Sequence, residues 1–240
     1  MPTSRNSPQV LKKKPPAKRP STVVQSKRLV TTAKADPSDF IRLLKQEYPD
    51  AHCELDHRNA FELLIATILS AQCTDVRVNI VTKVLFKEYS TPKKLATAVP
   101  AEIEEIIRST GFFKNKTKSI IGCAQALVGQ HKSRVPESIE ALIALPGVGR
   151  KTANVVLGNA FGISSGIVVD THVIRLSNRF GWTKSQAAEV IEKELLKKVP
   201  QQDWIIFSHL LITHGRKICK ARNPSCESCF LFDPCPRLGL

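Results

Sequence analysis

From Pro37 to the last cysteine, apolar residues recur at the spacing of a helix and almost nowhere at that of a strand. Phe40, Leu44 and Tyr48 fall at i, i+4 and i+8, and Phe61, Leu64, Ile65, Ile68 and Leu69 repeat the stripe more densely. The same pattern predicts helices over about 75–88, 100–109, 116–130, 138–145, 150–161, 170–180, 184–198 and 201–214, separated at Pro92, Gly111, Pro136, Gly162, Gly181 and Pro200. Ile167-Val168-Val169 reads as strand, but three residues cannot found a sheet. The expected fold class is all-α, and the uneven helix spacing excludes a solenoid.

Charge narrows the partners. Residues 1–35 hold nine Lys or Arg, five prolines and no acid, so they read as a disordered basic arm, suited to loose DNA tethering or to no function. The remainder is still basic, with 27 Lys or Arg against 21 Asp or Glu, which favours nucleic acid over an anionic membrane surface. The longest apolar run, Ala60 to Ala71, is interrupted by Glu62 and too short to span a bilayer. With neither secretory signal nor transit peptide in evidence, the protein is expected inside the cell: in bacterial cytoplasm beside the nucleoid, or in a nucleus if the basic arm is an import signal.

Four of the seven cysteines, Cys219, Cys226, Cys229 and Cys235, crowd the last 22 residues with gaps of six, two and five. In a reducing compartment this points to a metal centre. Zinc favours paired two-residue gaps and only one is present, so the spacing leans towards an iron–sulfur cluster without excluding zinc. A loop pinned by such a centre would hold Lys220 and Arg222, preceded by Arg216 and Lys217, as a fixed array for phosphates. Cys53, Cys73 and Cys123 are isolated and read as structural thiols.

The chemistry concentrates in Leu145-Pro146-Gly147-Val148-Gly149-Arg150-Lys151. Gly147 and Gly149 permit a tight turn with bare backbone N–H groups, and the helix opening at Arg150 aims its unsatisfied donors the same way, a phosphate-binding corner. Lys151, in the first turn, lies where the helix field eases loss of its proton, which makes it a candidate nucleophile. Asp170, in Val168-Val169-Asp170-Thr171-His172, reads from its local sequence as an N-cap.

These segments, together with Leu69-Ser70-Ala71-Gln72-Cys73-Thr74-Asp75, His214-Gly215-Arg216 and the cysteine spacing, resemble the endonuclease III family of helix-hairpin-helix DNA glycosylases, in the same order from Pro37 to Cys235. The resemblance implies two lobes: a six-helix barrel over 53–164, and a second lobe from 36–52 and 165–240 carrying a 4Fe-4S cluster on the four cysteines. It implies a monomer acting on double-stranded DNA with damaged pyrimidines or abasic sites. Lys151 matches the family's catalytic lysine and Asp170 its catalytic aspartate, while Gly147, Gly149 and Arg150 would meet the DNA backbone. Gln72 would enter the gap left by a flipped nucleotide, since an amide can pair with the orphaned base in either direction. Gly111-Phe112-Phe113 should supply a second wedge, with Phe112 where some members carry Leu and Phe113 also suited to core packing. His172 matches a residue near the lesion pocket, or simply organises a helix start. An adenine glycosylase lacks the lysine and usually continues into a further domain. A non-catalytic DNA-binding module would need neither Lys151 nor Asp170.

Overall fold

The computed structural model describes residues 36–240; the basic arm, 1–35, lies outside the described residues. Eleven α-helices follow in order: α1 Pro37–Glu47, α2 Ala60–Leu69, α3 Asp75–Glu88, α4 Pro92–Ala96, α5 Pro100–Ile107, α6 Phe113–Gln130, α7 Ile139–Ile143, α8 Arg150–Phe161, α9 Thr171–Arg179, α10 Ala188–Leu196 and α11 Trp204–Lys217. There is no strand among the described residues. Caps written in the sequence set several starts: the side chains of Asp36, Asn59, Thr74, Thr91, Ser138 and Asp170 each accept a hydrogen bond from a first-turn N–H. Pro92, taken as a separator, opens α4, because proline at the first helical position gives up an N–H that has no partner there anyway. Helix α6 begins at Phe113, three residues before the expected start, since the carbonyl of left-handed Phe112 accepts from the amides of Asn115 and Lys116.

The apolar side chains divide into two clusters. The first centres on α2, buried from Phe61 through Leu69 and packed against α3, α6 and α8. A helix apolar all round must be a central one, and its one acid, Glu62, is satisfied by Arg58 through two charged hydrogen bonds to Oε1, at 2.5 and 2.9 Å. The second cluster joins Phe40 and Leu44 of α1 and Tyr48 just past its end to Val173 and Leu176 of α9 and to Phe207, Leu210 and Leu211 of α11. Phe40 meets the Phe180 ring at 4.7 Å, and truncating so buried a phenylalanine would cost about 3–5 kcal/mol. Ile167 and Val169, the strand-like run, lie in this second core as an extended crossing from α8 to α9. The chain thus crosses twice between the clusters, after α1 and after α8, and the second crossing delivers Asp170.

Candidate active site and nucleic-acid interface

The turn before α8 uses its two glycines differently. Gly147 has φ +77°, and a Cβ there would come 2.6 Å from the Ser119 Cβ, so the fold itself requires glycine. Gly149 has an ordinary φ of −96°, and a Cβ on it would meet nothing within 4 Å. Its smallness leaves open space outside the molecule. No side chain caps α8, so the first-turn amides face outward with the positive end of the helix behind them.

Lys151, exposed in that first turn, and Asp170, at the head of α9, line one cavity of about 610 Å³ between α2, α8, α9 and α11. His172, Cys73, Ser70 and Ser208 also line it. Asp170 is the N-cap that its local sequence suggests: Oδ1 accepts from the amides of both His172 and Val173 at 2.9 Å. Since both bonds fall on one oxygen, capping leaves the second oxygen available for other work. The segment before Asp170 is held at Ser208, whose hydroxyl donates to the Val168 carbonyl at 2.7 Å. It is held again at Gly166, where a Cβ would fall 2.2 Å from Glu192 Oε1. Buried Glu192 accepts from Asn154 at 3.1 Å and from Arg150 Nε at 2.9 Å, tying α8 to α10 beside the same segment. Arg150, expected to face DNA, therefore shares its charge with Glu192 and does not offer it whole to a phosphate.

His172 is oriented by Arg175, whose Nη2 donates to Nδ1 at 3.2 Å, so the ring proton resides on Nε2. Burial, chiefly, and the Arg175 charge hold this imidazole below its ordinary value, against the opposing pull of Asp170. Gln72 and Phe112 stand outside the cavity wall. Both are exposed, Phe112 to 63%, and both have left-handed backbone, with φ of 53° and 48°. Phe113 packs against the first core beneath the Arg108 guanidinium, which leaves Phe112 as the projecting ring.

The four cysteines ring a single small apolar cavity. Burial first, then the other three cysteines, pushes the Cys229 thiol up to about 11, the direction expected of a thiol packed in an apolar site beside other thiols. Four thiols facing one small apolar cavity are a donor set that fits a soft, multiply charged centre. Beyond Cys219, Lys220 and Arg222 are exposed and without an acidic partner among the described residues. Arg216 does not join them: it pairs with Glu54 and Asp75, while the Lys217 ammonium lies 5.1 Å from the centre of the Tyr48 ring. Arg175 and Arg179, which bind the loop's carbonyls, were not singled out in the sequence. Arg179 could have been, because an arginine one helical turn past Leu176, on the stripe that faces the core, implies a buried acceptor.

A family model for the helix-hairpin-helix superfamily of base excision DNA repair proteins matches residues 65–201, and one for the iron–sulfur binding domain of endonuclease III matches 219–235. Endonuclease III of Synechocystis is 50% identical over 209 residues, covering 87% of this chain and 95% of its own. Two solved structures have a TM-score of 0.79: a non-covalent endonuclease III–DNA complex, 45% identical over 83% of this chain and 94% of its own, and a trapped endonuclease III–DNA covalent intermediate, 44% identical over 84% and 96%. No helix among the described residues is long and apolar enough to cross a membrane.

Proposed function

We propose, from the premise that the chain belongs to the endonuclease III family of helix-hairpin-helix repair proteins, that Lys151 is its nucleophile and Asp170 the charge that stabilises the reacting sugar. The protein is a base-excision DNA glycosylase with abasic-site lyase activity, it carries a 4Fe-4S cluster, and DNA is its partner. One observation carries the residue assignment: an exposed amine in the uncapped first turn of α8 and a carboxylate with one oxygen free of capping line the same cavity.

The substrate is duplex DNA with an oxidised pyrimidine or an abasic site. Stacking denies access to the sugar, so the nucleotide first swings out into the cavity. Amides of the Gly147–Gly149 turn hold the strand, Gly149 letting a phosphate approach closely. The neutral Lys151 amine attacks C1′ as the base departs with the glycosidic electrons and takes a proton from the attacking nitrogen. The nitrogen lone pair then forms C=N as the C1′–O4′ bond breaks, O4′ taking a proton from water, so that the opened sugar is held as a Schiff base. Loss of a C2′ proton then expels the 3′ phosphate by β-elimination. The Asp170 carboxylate offsets positive charge growing at C1′. Gln72 and Phe112 fill the vacated stack. His172, its Nδ1 occupied by Arg175, can donate from Nε2 into the cavity. Cys219, Cys226, Cys229 and Cys235 would hold the cluster, which fixes the loop carrying Lys220 and Arg222 against the backbone. In this reading the acting unit is a monomer, with 53–164 assigned to the barrel lobe and 36–52 plus 165–240 to the cluster lobe.

Borohydride trapping on an oxidised-pyrimidine duplex tests this reading. The wild-type protein should cross-link, and Lys151→Ala should not while binding the duplex within about 3-fold of wild type. A wild type that never cross-links removes the lyase mechanism for this chain; a cross-link that survives in Lys151→Ala removes the assignment of the lysine.

A further inference from the structure

Lys116 is a lysine where none is expected. It is 5% exposed on α6, and its ammonium donates to two backbone carbonyls, Leu69 and Thr110, each at 2.8 Å. A buried ammonium is costly unless its donors are satisfied, and burial holds this one below its ordinary lysine value. An apolar side chain of the same length would fill the space without that cost, so the two bonds are the reason for a lysine there.

The two acceptors share a position in their elements. Leu69 is the last residue of α2, three before Gln72; Thr110 is the last residue of the 3₁₀ turn Arg108–Thr110, two before Phe112. Carbonyls at helix ends lack partners within their own helix, and a cation there is favoured by the helix dipole. The Lys116 amide also donates to the Phe112 carbonyl at 3.0 Å. Gln72 and Phe112 are therefore two exposed residues in a conformation that side chains rarely adopt, each just past a helix end held by the same ammonium.

We propose that Lys116 is a positioning residue that staples the Gln72 and Phe112 loops into one rigid wedge, so that both side chains enter the duplex at a fixed separation when the nucleotide leaves the stack. The inference rests on the glycosylase and lyase reading above. It goes beyond it by making the two wedges a single mechanical unit whose coupling is a buried amine remote from the chemistry. A separation set by covalent backbone and a shared cation costs no ordering at the moment of insertion. Two independently swinging loops would each have to be ordered then.

The test compares substrates that do and do not require a stack to be opened. With Lys116→Met, single-turnover excision from an oxidised-pyrimidine duplex should fall about 100-fold, as expected when inserting groups are misplaced by an ångström. Borohydride trapping of the same variant on a single-stranded oligonucleotide with an abasic site, where nothing is stacked over the sugar, should stay within about 3-fold of wild type. Lys116→Arg, which keeps charge and donors, should recover most of the duplex rate. Equal losses on both substrates would show that Lys116 supports only the fold, and an unchanged duplex rate would show that the two bonds do not matter. Absence of trapping by the wild type would count against the underlying lyase reading instead. Should Lys116→Met not fold, the proposal is tested on the exposed wedge residues of the otherwise native chain: the duplex effects of Gln72→Ala and Phe112→Ala should depart from a simple product by about 5-fold or more. Independent effects would overturn the staple.

Discussion

Arg179 donates from Nη1 both to the sulfur of Cys219, at 3.2 Å, and to its carbonyl, at 3.4 Å. The same guanidinium reaches the carbonyls of Lys220 at 2.7 Å and Ala221 at 3.1 Å. A planar fork of five donors is thus spent on one ligand and the two residues after it. The first sulfur of the quartet and the base of the loop that carries Lys220 and Arg222 are consequently set by α9, the helix that Asp170 caps. The proposed cluster ligand Cys219, its loop and the proposed catalytic carboxylate are thus all tied to α9.

Removing that guanidinium strands a buried sulfur and three carbonyls, and Arg179→Ala should destabilise the protein by about 3 kcal/mol or more. The visible absorption of the iron–sulfur centre should then bleach faster under a chelator than in the wild type. Arg179→Lys should bleach nearly as fast, because a point charge cannot serve four acceptors in a plane. Bleaching rates indistinguishable from wild type in both variants would show that the cluster does not depend on this arginine.

The two hairpin glycines should separate on substitution. Gly147→Ala places a methyl against Ser119 at positive φ and should cost about 1–3 kcal/mol, read from urea unfolding. Gly149→Ala has room and an ordinary φ, so stability should change by no more than about 0.5 kcal/mol. Duplex affinity should nonetheless fall, because the methyl would occupy the space through which the proposed phosphate contact is made. Unaltered affinity in Gly149→Ala would show that the strand does not approach there.

What the sequence revealed were features carried by neighbours in the chain. The Gly-Val-Gly turn, the lysine one residue into the helix, the Asp170 cap and the six-two-five cysteine spacing all draw their meaning from residues within a turn or a short loop. The roles of Lys116, Arg179 and Glu192 depend on at least one remote partner each, Leu69, Cys219 and Arg150, which lie 47, 40 and 42 residues away. Arg179 left one trace, its place on the core-facing stripe of α9, but the sequence does not say which acceptors a buried cation meets. The choice between Phe112 and Phe113 was hidden for a related reason: it depends on the left-handed φ of Phe112, which reverses the side-chain direction that helical continuation would give.

Those two rings should now part company in the laboratory. Phe112→Ala removes an exposed side chain and should leave thermal stability nearly unchanged while reducing excision from a duplex, measured as a single-turnover rate. Phe113→Ala should instead lower stability by about 2–4 kcal/mol through lost packing and lost contact with Arg108. The reverse assignment of stability and rate effects would transfer the wedge to Phe113.

Acid should weaken the fold partly through His209. Burial chiefly, then the His52 charge, holds its imidazole below the ordinary value of 6.5, while Nε2 lies 2.8 Å from Asn159 Oδ1. Below that value the unfolded chain takes up a proton that the folded chain resists, so the stability contributed above 6.5 is lost as pH falls towards the folded value. Urea midpoints at about pH 7.5 and pH 5.5 should therefore drop less in His209→Gln, which retains an N–H for Asn159 but does not titrate. An equal drop in variant and wild type would assign the acid lability elsewhere.

Asp170 is both a helix cap and the proposed catalytic charge, and one substitution separates the two. Asparagine caps as well as aspartate does, and its side-chain oxygen can keep both bonds to the His172 and Val173 amides. Asp170→Asn should therefore unfold within about 1 kcal/mol of the wild type. It lacks the negative charge that would face C1′, so single-turnover Schiff-base formation should fall by about 100-fold or more. Asp170→Ala should lose both properties, with about 1–2 kcal/mol of stability gone alongside the rate. If Asp170→Asn reacted at the wild-type rate, the carboxylate would be no more than the cap its local sequence suggests, and the charge that stabilises the sugar would have to come from elsewhere in the cavity.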